Sequence, residues 1–136
     1  MGYSFLGWTY AREIDMEYPD FLNPVLARID SRYGVEIRCD EGWWQLISLC
    51  DKELADIDPD YTIFQVKEKF GGLRYYHSPS SPTRAKEMNA VVAKFEHMCS
   101  MTCEKTGKHG YLMKKGFVYK TLHESFMDDG WTKVNS

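Results

Sequence analysis

The stretch from Thr62 to His77 constrains the fold most, because two strand-like runs flank a pair of glycines there. It reads TIFQVKEKF-GG-LRYYH, and each run alternates apolar or aromatic residues with polar ones. Two such runs separated by two glycines are typical of a β-hairpin, since glycine accepts the positive φ angles that a two-residue turn requires. The sequence therefore predicts an antiparallel hairpin with Gly71-Gly72 as its turn.

This turn sorts the hairpin side chains onto two faces, because successive residues of a strand point to opposite sides. One face is apolar apart from a single carboxylate and holds Val66, Glu68, Phe70, Leu73, Tyr75 and His77. The other face is basic and holds Lys67, Lys69, Arg74 and Tyr76. We interpret the basic face as a binding surface for phosphate or for an acidic partner. The alternative is a solvated edge that keeps sheets from joining.

Glu68 is the one acidic residue of the apolar face, so its carboxylate is expected to point toward the core. A buried carboxylate needs a partner, such as an arginine, a tyrosine hydroxyl or backbone N–H groups. We predict a structural role for it, and an active-site role is the alternative. Both assignments depend on the register, because a slip by one residue would exchange the two faces.

The rest of the chain predicts helices on both sides of the hairpin and a second, smaller hairpin after them. Helical periodicity runs from Asn23 to Gly34, from about residue 42 to residue 56, and from Ser81 to about residue 100. The segment KHGYLMKKGFVYKTL reads as two short strands around a Lys-Gly turn, and the tail from Met127 is expected to fray. Residues 1–17 suggest an edge strand or an arm packed on the core.

These elements predict an α+β fold with three helices, a central Gly-Gly hairpin and a small C-terminal hairpin. A chain of 136 residues suffices for one hydrophobic core. We expect an α+β core in residues 1–100, a small ribbon-like subdomain in residues 101–126 and a tail in residues 127–136.

The net charge of −3 conceals a strong asymmetry along the chain. Residues 1–61 carry 5 basic and 13 acidic side chains, whereas residues 62–136 carry 12 basic and 7 acidic ones. The N-terminal part of the chain is therefore acidic and the C-terminal part is basic. Such a distribution predicts two oppositely charged surfaces, either of which is a candidate contact surface.

The string QVKEKFGGLRYY resembles the central motif of a family of small uncharacterised proteins from bacteria and their phages. The family core reads as a Gly-Trp helix, a VKEKFGGLR segment, a further helix and a CExCG segment that ends in Leu-Cys-x-x-His. The matching segments here are Gly42–Ile47, Val66–Tyr76, Cys103–Gly107 and Thr121–His123. The resemblance spans residues 18–126 and implies the basic hairpin and a small cysteine-bearing module, but no established activity.

In the family pattern the cysteine pairs resemble a zinc ribbon, and this sequence departs from that pattern. Thr106 replaces the second cysteine, His123 replaces the next one and Phe126 replaces the final histidine. Cys103 and His123 remain, and Cys99 and His109 would complete the four ligands that a structural zinc site uses. The alternative, which we expect, is a degenerate ribbon without a cofactor that is held by aromatic packing.

The cysteines and the N-terminal segment predict a cytoplasmic protein, and the family resemblance implies that the cytoplasm is that of a bacterial host cell. The N-terminal segment lacks the charged and apolar regions of an export signal. No apolar run reaches the roughly 18 residues of a membrane span, so we expect no membrane partner. The four cysteines are therefore expected to be free thiols.

Three functional hypotheses remain, because signatures of nucleotide-binding and hydrolytic enzymes are absent. The first is a non-enzymatic phage-type protein that binds and inhibits a host protein or defence complex, with the acidic segment 51–60 as a possible nucleic-acid mimic. The second is a nucleic-acid-binding module that uses the basic hairpin face, with Tyr76 for stacking. The third, which we expect least, is an enzyme that uses Glu68 or Cys103.

Overall fold

The structure is a computed structural model that describes residues 17–134 of the chain. Within this range three α-helices and six strands alternate with short 3₁₀ turns. The helices are α1 (Asn23–Arg28), α2 (Trp44–Ile57) and α3 (Ala85–Cys99). The strands are β1 (Ile37–Arg38), β2 (Thr62–Lys69), β3 (Gly72–Ser78), β4 (Tyr111–Lys115), β5 (Val118–Leu122) and β6 (Thr132–Lys133). The predicted α+β fold is confirmed, and the prediction for residues 1–16 lies outside the described residues.

Two three-stranded sheets organise the chain. The first has the order β1-β2-β3, with β1 parallel and β3 antiparallel to β2. The second has the order β5-β4-β6 and is antiparallel throughout. Strand β1 consists of only two residues. It pairs in parallel with β2, on the side of β2 opposite to β3.

The main core lies on one face of the first sheet. Helices α2 and α3 pack against each other, and α3 also packs against β3. The apolar stripes of both helices meet the buried side chains of the sheet, as their helical spacing predicts. The fully buried residues of this core include Leu22, Val25, Ile37, Trp43, Ile47, Leu54, Ile63, Val66, Leu73 and Met88.

Helix α1 is shorter than predicted. It ends at Arg28, and Ile29 has an extended backbone that bridges Ile63 of β2 in parallel. The N–H of Asp30 then donates to the carbonyl oxygen of Ile63 across 2.8 Å. The chain therefore leaves the helix to extend the sheet, and Tyr33, predicted on the buried stripe, is exposed.

The turn of the β2–β3 hairpin lies one residue earlier than predicted. Lys69 pairs with Gly72, so Phe70 and Gly71 form the turn in place of Gly71 and Gly72. Both turn residues have positive φ angles, 55° for Phe70 and 83° for Gly71. This is the backbone that a type I′ turn requires.

Tertiary contacts of Gly71 explain the position of the turn. Its N–H donates to the Glu68 carboxylate across 2.7 Å, and its carbonyl oxygen accepts from the Thr121 hydroxyl across 2.6 Å. A Cβ atom at position 71 would stand 2.6 Å from Cδ1 of the partly exposed Leu112, so the Leu112 side chain would have to move. The second hairpin therefore fixes the turn of the first.

The shifted turn leaves the predicted faces intact. Each residue of β2 faces a β3 residue two positions earlier than predicted, so Val66 pairs with Tyr75 and not with His77. Because side chains alternate with a period of two, a shift by two residues keeps them on their faces. Phe70 is the exception, since it lies in the turn and is 69% exposed, whereas the sequence placed it on the apolar face.

The second sheet has a small core of its own. Cys103, Met113 and Leu122 are fully buried there, and the partly buried side chains Tyr111, Phe126 and Trp131 pack against them. Strand β6 pairs with β4, so residues of the predicted tail belong to this sheet and the expectation of fraying is wrong. The turn between β4 and β5 consists of Gly116 and Phe117, again one residue away from the predicted Lys-Gly pair.

None of the helices in residues 17–134 combines the length and the apolar character that a membrane span requires.

Candidate functional site

The outer face of the first sheet carries a row of cations across all three strands. Lys67 of β2 lies directly opposite Arg74 of β3, and Arg38 of β1 is its partner on the other side. Directly paired residues share a face of the sheet, so the three side chains stand side by side. Two interstrand spacings of about 4.8 Å give the row a length of roughly 10 Å.

Two further predicted residues extend this row along the hairpin. Lys69 lies on the same face as Lys67, and Tyr76 lies on the same face as Arg74, because each pair is two positions apart. The guanidinium of Arg74 lies close to Gly72, which pairs with Lys69. Its Nη1 atom is 3.2 Å from the position that a Cβ atom on residue 72 would occupy. We call the surface formed by Arg38, Lys67, Lys69, Arg74 and Tyr76 the basic face.

Aromatic rings accompany the cations of the basic face. The Lys67 ammonium lies 5.8 Å from the centroid of the Tyr76 ring, and the Lys69 ammonium lies 5.7 Å from that of Phe70. Tyr76 is 44% exposed, so its ring has both a cation beside it and access to solvent. Such spacing is within the range of a cation–π contact.

The cations of the basic face are largely without acidic partners. Arg38 forms an ion pair with Glu36 at 2.9 Å, in which both side chains are about half exposed. Lys67, Lys69 and Arg74 form no ion pair with any residue of the range 17–134. Within residues 17–134 the face therefore presents three positive charges on one hairpin that no acidic side chain compensates.

Glu68 has the inward direction that the sequence predicts, with partners that the sequence did not identify. Its carboxylate accepts from the Gly71 N–H at 2.7 Å and lies 3.2 Å from the ammonium of Lys120. Lys120 also contacts the carboxylate of Glu104, which is almost fully buried, at 3.1 Å. Glu104 in turn accepts from the backbone N–H of Asp40. This network connects the two sheets to the segment before α2.

The Lys120 ammonium is stabilised in its charged form by this network. Burial lowers the pKa of Lys120, but the charges and hydrogen bonds of Glu104 and Glu68 outweigh burial and raise it above its ordinary value. A carboxylate already held by an ammonium and an N–H is poorly placed to act on a substrate. The contacts of Glu68 are those of a structural tie.

The four candidate zinc ligands lie in different environments. Cys99 belongs to the main core, where burial raises its pKa to about 12, whereas Cys103 belongs to the small core. The exposed ring of His109 packs edge-on against Tyr111, with centroids 4.8 Å apart. His123 Nδ1 accepts from the backbone N–H of Ser125 at 3.2 Å. In residues 17–134 no three histidine, cysteine or acidic side chains are grouped so as to hold a metal ion.

Cys103 has a distinctive set of hydrogen bonds. Burial raises the pKa of its thiol, but donation from the Thr106 hydroxyl and from the backbone N–H groups of His123, Thr106 and Lys105 lowers it below the ordinary value overall. The side chain is nevertheless fully buried. A nucleophilic cysteine needs access as well as a low pKa, so this thiol is unsuited to attack a substrate in this conformation.

The acidic segment 51–60 contributes mainly to internal contacts. Asp51 is buried, pairs with Arg28 at 2.8 Å and accepts a hydrogen bond from the Tyr61 hydroxyl. Asp58 is also buried and accepts from the N–H and the hydroxyl of Ser80, each at 2.7 Å. Glu53 pairs with Lys94. Three of the five acidic side chains of this segment therefore make contacts within the chain, whereas Asp56 and Asp60 are exposed.

A groove of about 1050 Å³ lies beside the start of α2. Its lining includes the aromatic side chains of Tyr18, Phe21 and Trp44 and the partly exposed Leu49. The predicted binding and metal residues lie elsewhere in the described chain.

The sequence did not indicate that Arg38 joins the row of cations or that Phe70 is an exposed turn residue. No local pattern tells that the two residues of β1 pair in parallel with β2, so the third cation of the row was not foreseen. The order Phe-Gly-Gly was the one available signal for the position of Phe70, because a two-residue turn can consist of the phenylalanine and the first glycine.

Comparisons with protein-family models, with curated proteins and with solved structures find no match to this chain. The resemblance to the family with the VKEKFGGLR motif therefore stays a prediction.

Proposed function

We propose that this protein is a non-enzymatic binding protein that takes the phosphate backbone of a nucleic acid on its basic face. The observation that carries the proposal is the row of Arg38, Lys67 and Arg74 across three neighbouring strands. Phosphate groups would neutralise these cations and release the counterions of the nucleic acid, which is the main source of affinity in such complexes.

The energetics of the row support a ligand of opposite charge. Like charges directly opposite each other in a sheet are destabilising, so folding alone gives no reason to place Lys67 against Arg74. An anion bound between them would remove the repulsion. The contacts of Asp51, Asp58 and Glu53 within the chain support the same choice, because they reduce the acidic surface that residues 51–60 offer to a partner.

A titration of a fluorescein-labelled 12-nucleotide oligo(dT), followed by anisotropy at low salt, tests the proposal. We expect binding that weakens with salt, with a slope of about −2 in log K against log salt for three phosphate contacts. The double variant Lys67→Glu/Arg74→Glu is expected to lose binding of the oligonucleotide. The matched control Lys52→Glu/Lys86→Glu makes the same charge change on exposed positions of α2 and α3, and is expected to retain it. No anisotropy change with the wild-type chain, either for this strand or for its duplex with oligo(dA), would end this proposal.

A specific observation also favours a protein partner as a second candidate. Phe117 forms the tip of the β4–β5 hairpin, is 99% exposed and follows two exposed lysines, Lys114 and Lys115. Exposed aromatic side chains of this kind anchor many protein interfaces. The corresponding function is that of a phage-type protein that binds and inhibits a host protein or defence complex.

The second candidate is tested by affinity capture from an extract of the bacterial host. A stoichiometric host protein that the wild-type chain retains and the Phe117→Ser variant loses would support it. The double variant Lys67→Glu/Arg74→Glu separates the two candidates, because a partner of the Phe117 hairpin should still bind to it. Capture that is identical for wild type and Phe117→Ser would argue against this candidate.

A further inference from the structure

Phe70 has an unfavourable backbone conformation for its residue type. With φ of 55°, it is the one non-glycine residue with positive φ among residues 17–134. The left-handed region brings Cβ close to the backbone, so glycine, asparagine and aspartate are the residues that ordinarily occupy it. A type I′ turn gains nothing from phenylalanine at its first central position.

The Phe70 side chain does not compensate for this conformation by burial. It is 69% exposed and belongs to neither hydrophobic core. The backbone conformation of Phe70 therefore lowers stability, and its exposed side chain contributes little burial energy to offset that cost. Strain of this kind that the fold does not require is found where a side chain has a functional task.

The position of Phe70 indicates what that task is. Its ring lies beside Lys69 at one end of the basic face, and Tyr76 lies beside Lys67 toward the other end. Tyr76 pairs with Gln65, five residues before Phe70 along the chain, so the two rings are separated by roughly 17 Å of strand. Lys67, Lys69 and Arg74 lie between them. Two exposed aromatic rings therefore flank a group of cations.

We propose that Phe70 and Tyr76 are stacking platforms for the bases of a single-stranded nucleic acid whose phosphates contact the cations between them. This inference rests on the proposed function and specifies the ligand class for the same site. A single strand exposes the flat faces of its bases to aromatic side chains, whereas a duplex keeps them stacked inside the helix. The basic face should therefore prefer single strands to duplexes of equal length.

The test compares a fluorescein-labelled 12-nucleotide oligo(dT) with the 12-base-pair oligo(dA)·oligo(dT) duplex in anisotropy titrations of the full chain. We expect Phe70→Asn and Tyr76→Leu each to weaken single-strand binding by about tenfold, the effect of losing one stacked base. Duplex affinity should change by less than about twofold, since phosphate contacts remain. The control Phe117→Asn removes an equally exposed phenylalanine from the other hairpin and should leave both affinities unchanged.

A second readout comes from stability. Asparagine tolerates the left-handed backbone, so Phe70→Asn is expected to raise the melting temperature by about 3 °C while it weakens single-strand binding. A gain in stability together with a loss of binding rules out that the variant binds poorly because it is misfolded.

The outcomes separate the two proposals. Salt-dependent binding of the oligonucleotides with equal affinity for single strand and duplex, unchanged by Phe70→Asn and Tyr76→Leu, would overturn the stacking inference and leave the proposed function standing. Failure of every oligonucleotide to bind at low salt would overturn both, and an acidic protein would then be the partner that this face indicates. A melting temperature lowered by Phe70→Asn would show that the fold itself needs this phenylalanine, which also overturns the inference.

Discussion

Lys67 and Arg74 stand directly opposite each other on the outer face of the β2–β3 hairpin. Neither side chain has an ion-pair partner in the described chain, so two positive charges share one cross-strand site. Protein stability alone would favour one cation and one anion at such a pair. The arrangement agrees with the proposal that this face binds an anion.

Reversing one of these charges should stabilise the hairpin. We expect Lys67→Glu to raise the free energy of unfolding by about 0.5 kcal/mol, because the new carboxylate faces Arg74 across the strands. Urea unfolding at low and high salt measures the effect, which should shrink at high salt. The exposed control Lys108→Glu, in the loop before β4, makes the same charge change outside any helix or strand and should change stability less. A destabilised Lys67→Glu variant would contradict the repulsion argument.

The Lys120 ammonium should contribute substantially to stability, because it neutralises two inward-facing carboxylates. Replacement by methionine leaves Glu104 buried without a countercharge, and we expect a loss of about 2–3 kcal/mol, somewhat below the effect for a fully buried pair because Lys120 is partly exposed. Adding Glu104→Gln should recover part of this loss. The control Lys105→Met breaks the half-exposed pair with Asp40 and should cost less than about 1 kcal/mol. Equal losses for the two lysines would refute the network.

The two hairpin turns offer a matched pair of glycine substitutions. Gly71 and Gly116 both have positive φ, so alanine is strained at each by about 1–2 kcal/mol. Only at Gly71 does the new Cβ also meet Leu112, at 2.6 Å, whereas at Gly116 it meets open space. We expect Gly71→Ala to lower the free energy of unfolding by about 0.5–1 kcal/mol more than Gly116→Ala, the order of magnitude for moving the Leu112 side chain out of its preferred rotamer. Similar losses would indicate that the second hairpin does not hold the turn of the first.

Asp58 should make stability depend on pH in the acidic range. Hydrogen bonds from Ser80 lower the pKa of this carboxyl in the folded state. Its stabilisation is therefore complete above the unfolded pKa of about 3.9 and is lost as the pH falls through the lower folded value. We expect Asp58→Asn to have a lower free energy of unfolding than wild type at pH 6. Between pH 6 and pH 3 the wild type should lose more of its free energy of unfolding than the variant does. Parallel urea midpoints of both proteins across this range would argue against the assignment.

Metal removal should leave the protein folded. The Cys103 thiol accepts hydrogen bonds from Thr106 and from three backbone N–H groups, and His123 is held by Ser125, so both residues already have partners. We expect the melting temperature to be unchanged by EDTA, unlike that of a domain whose folding requires zinc. Metal analysis of protein purified without chelator provides the second measurement. One zinc per chain together with melting at a lower temperature in EDTA would restore the ribbon assignment.

Local patterns were sufficient for much of the fold. Helical spacing located α2 and α3, since a repeated apolar stripe over four turns leaves little choice of structure. Alternation located β2 and β3 and the side-chain composition of their faces. Where the chain changes direction, local patterns were less informative: α1 ends early because Ile29 joins the sheet beside Ile63, a contact across more than thirty residues.

The sequence by itself determined which side chains of the hairpin are neighbours on one face, because that depends only on a period of two along each strand. Only the tertiary structure decided where the hairpin turns, because the turn residue Gly71 accepts a hydrogen bond from Thr121 of the second sheet and lies beside Leu112. The same contacts place Phe70 in solvent, and the parallel pairing of β1 adds Arg38 to the row of cations. These are contacts between distant parts of the chain, so no local pattern contains them.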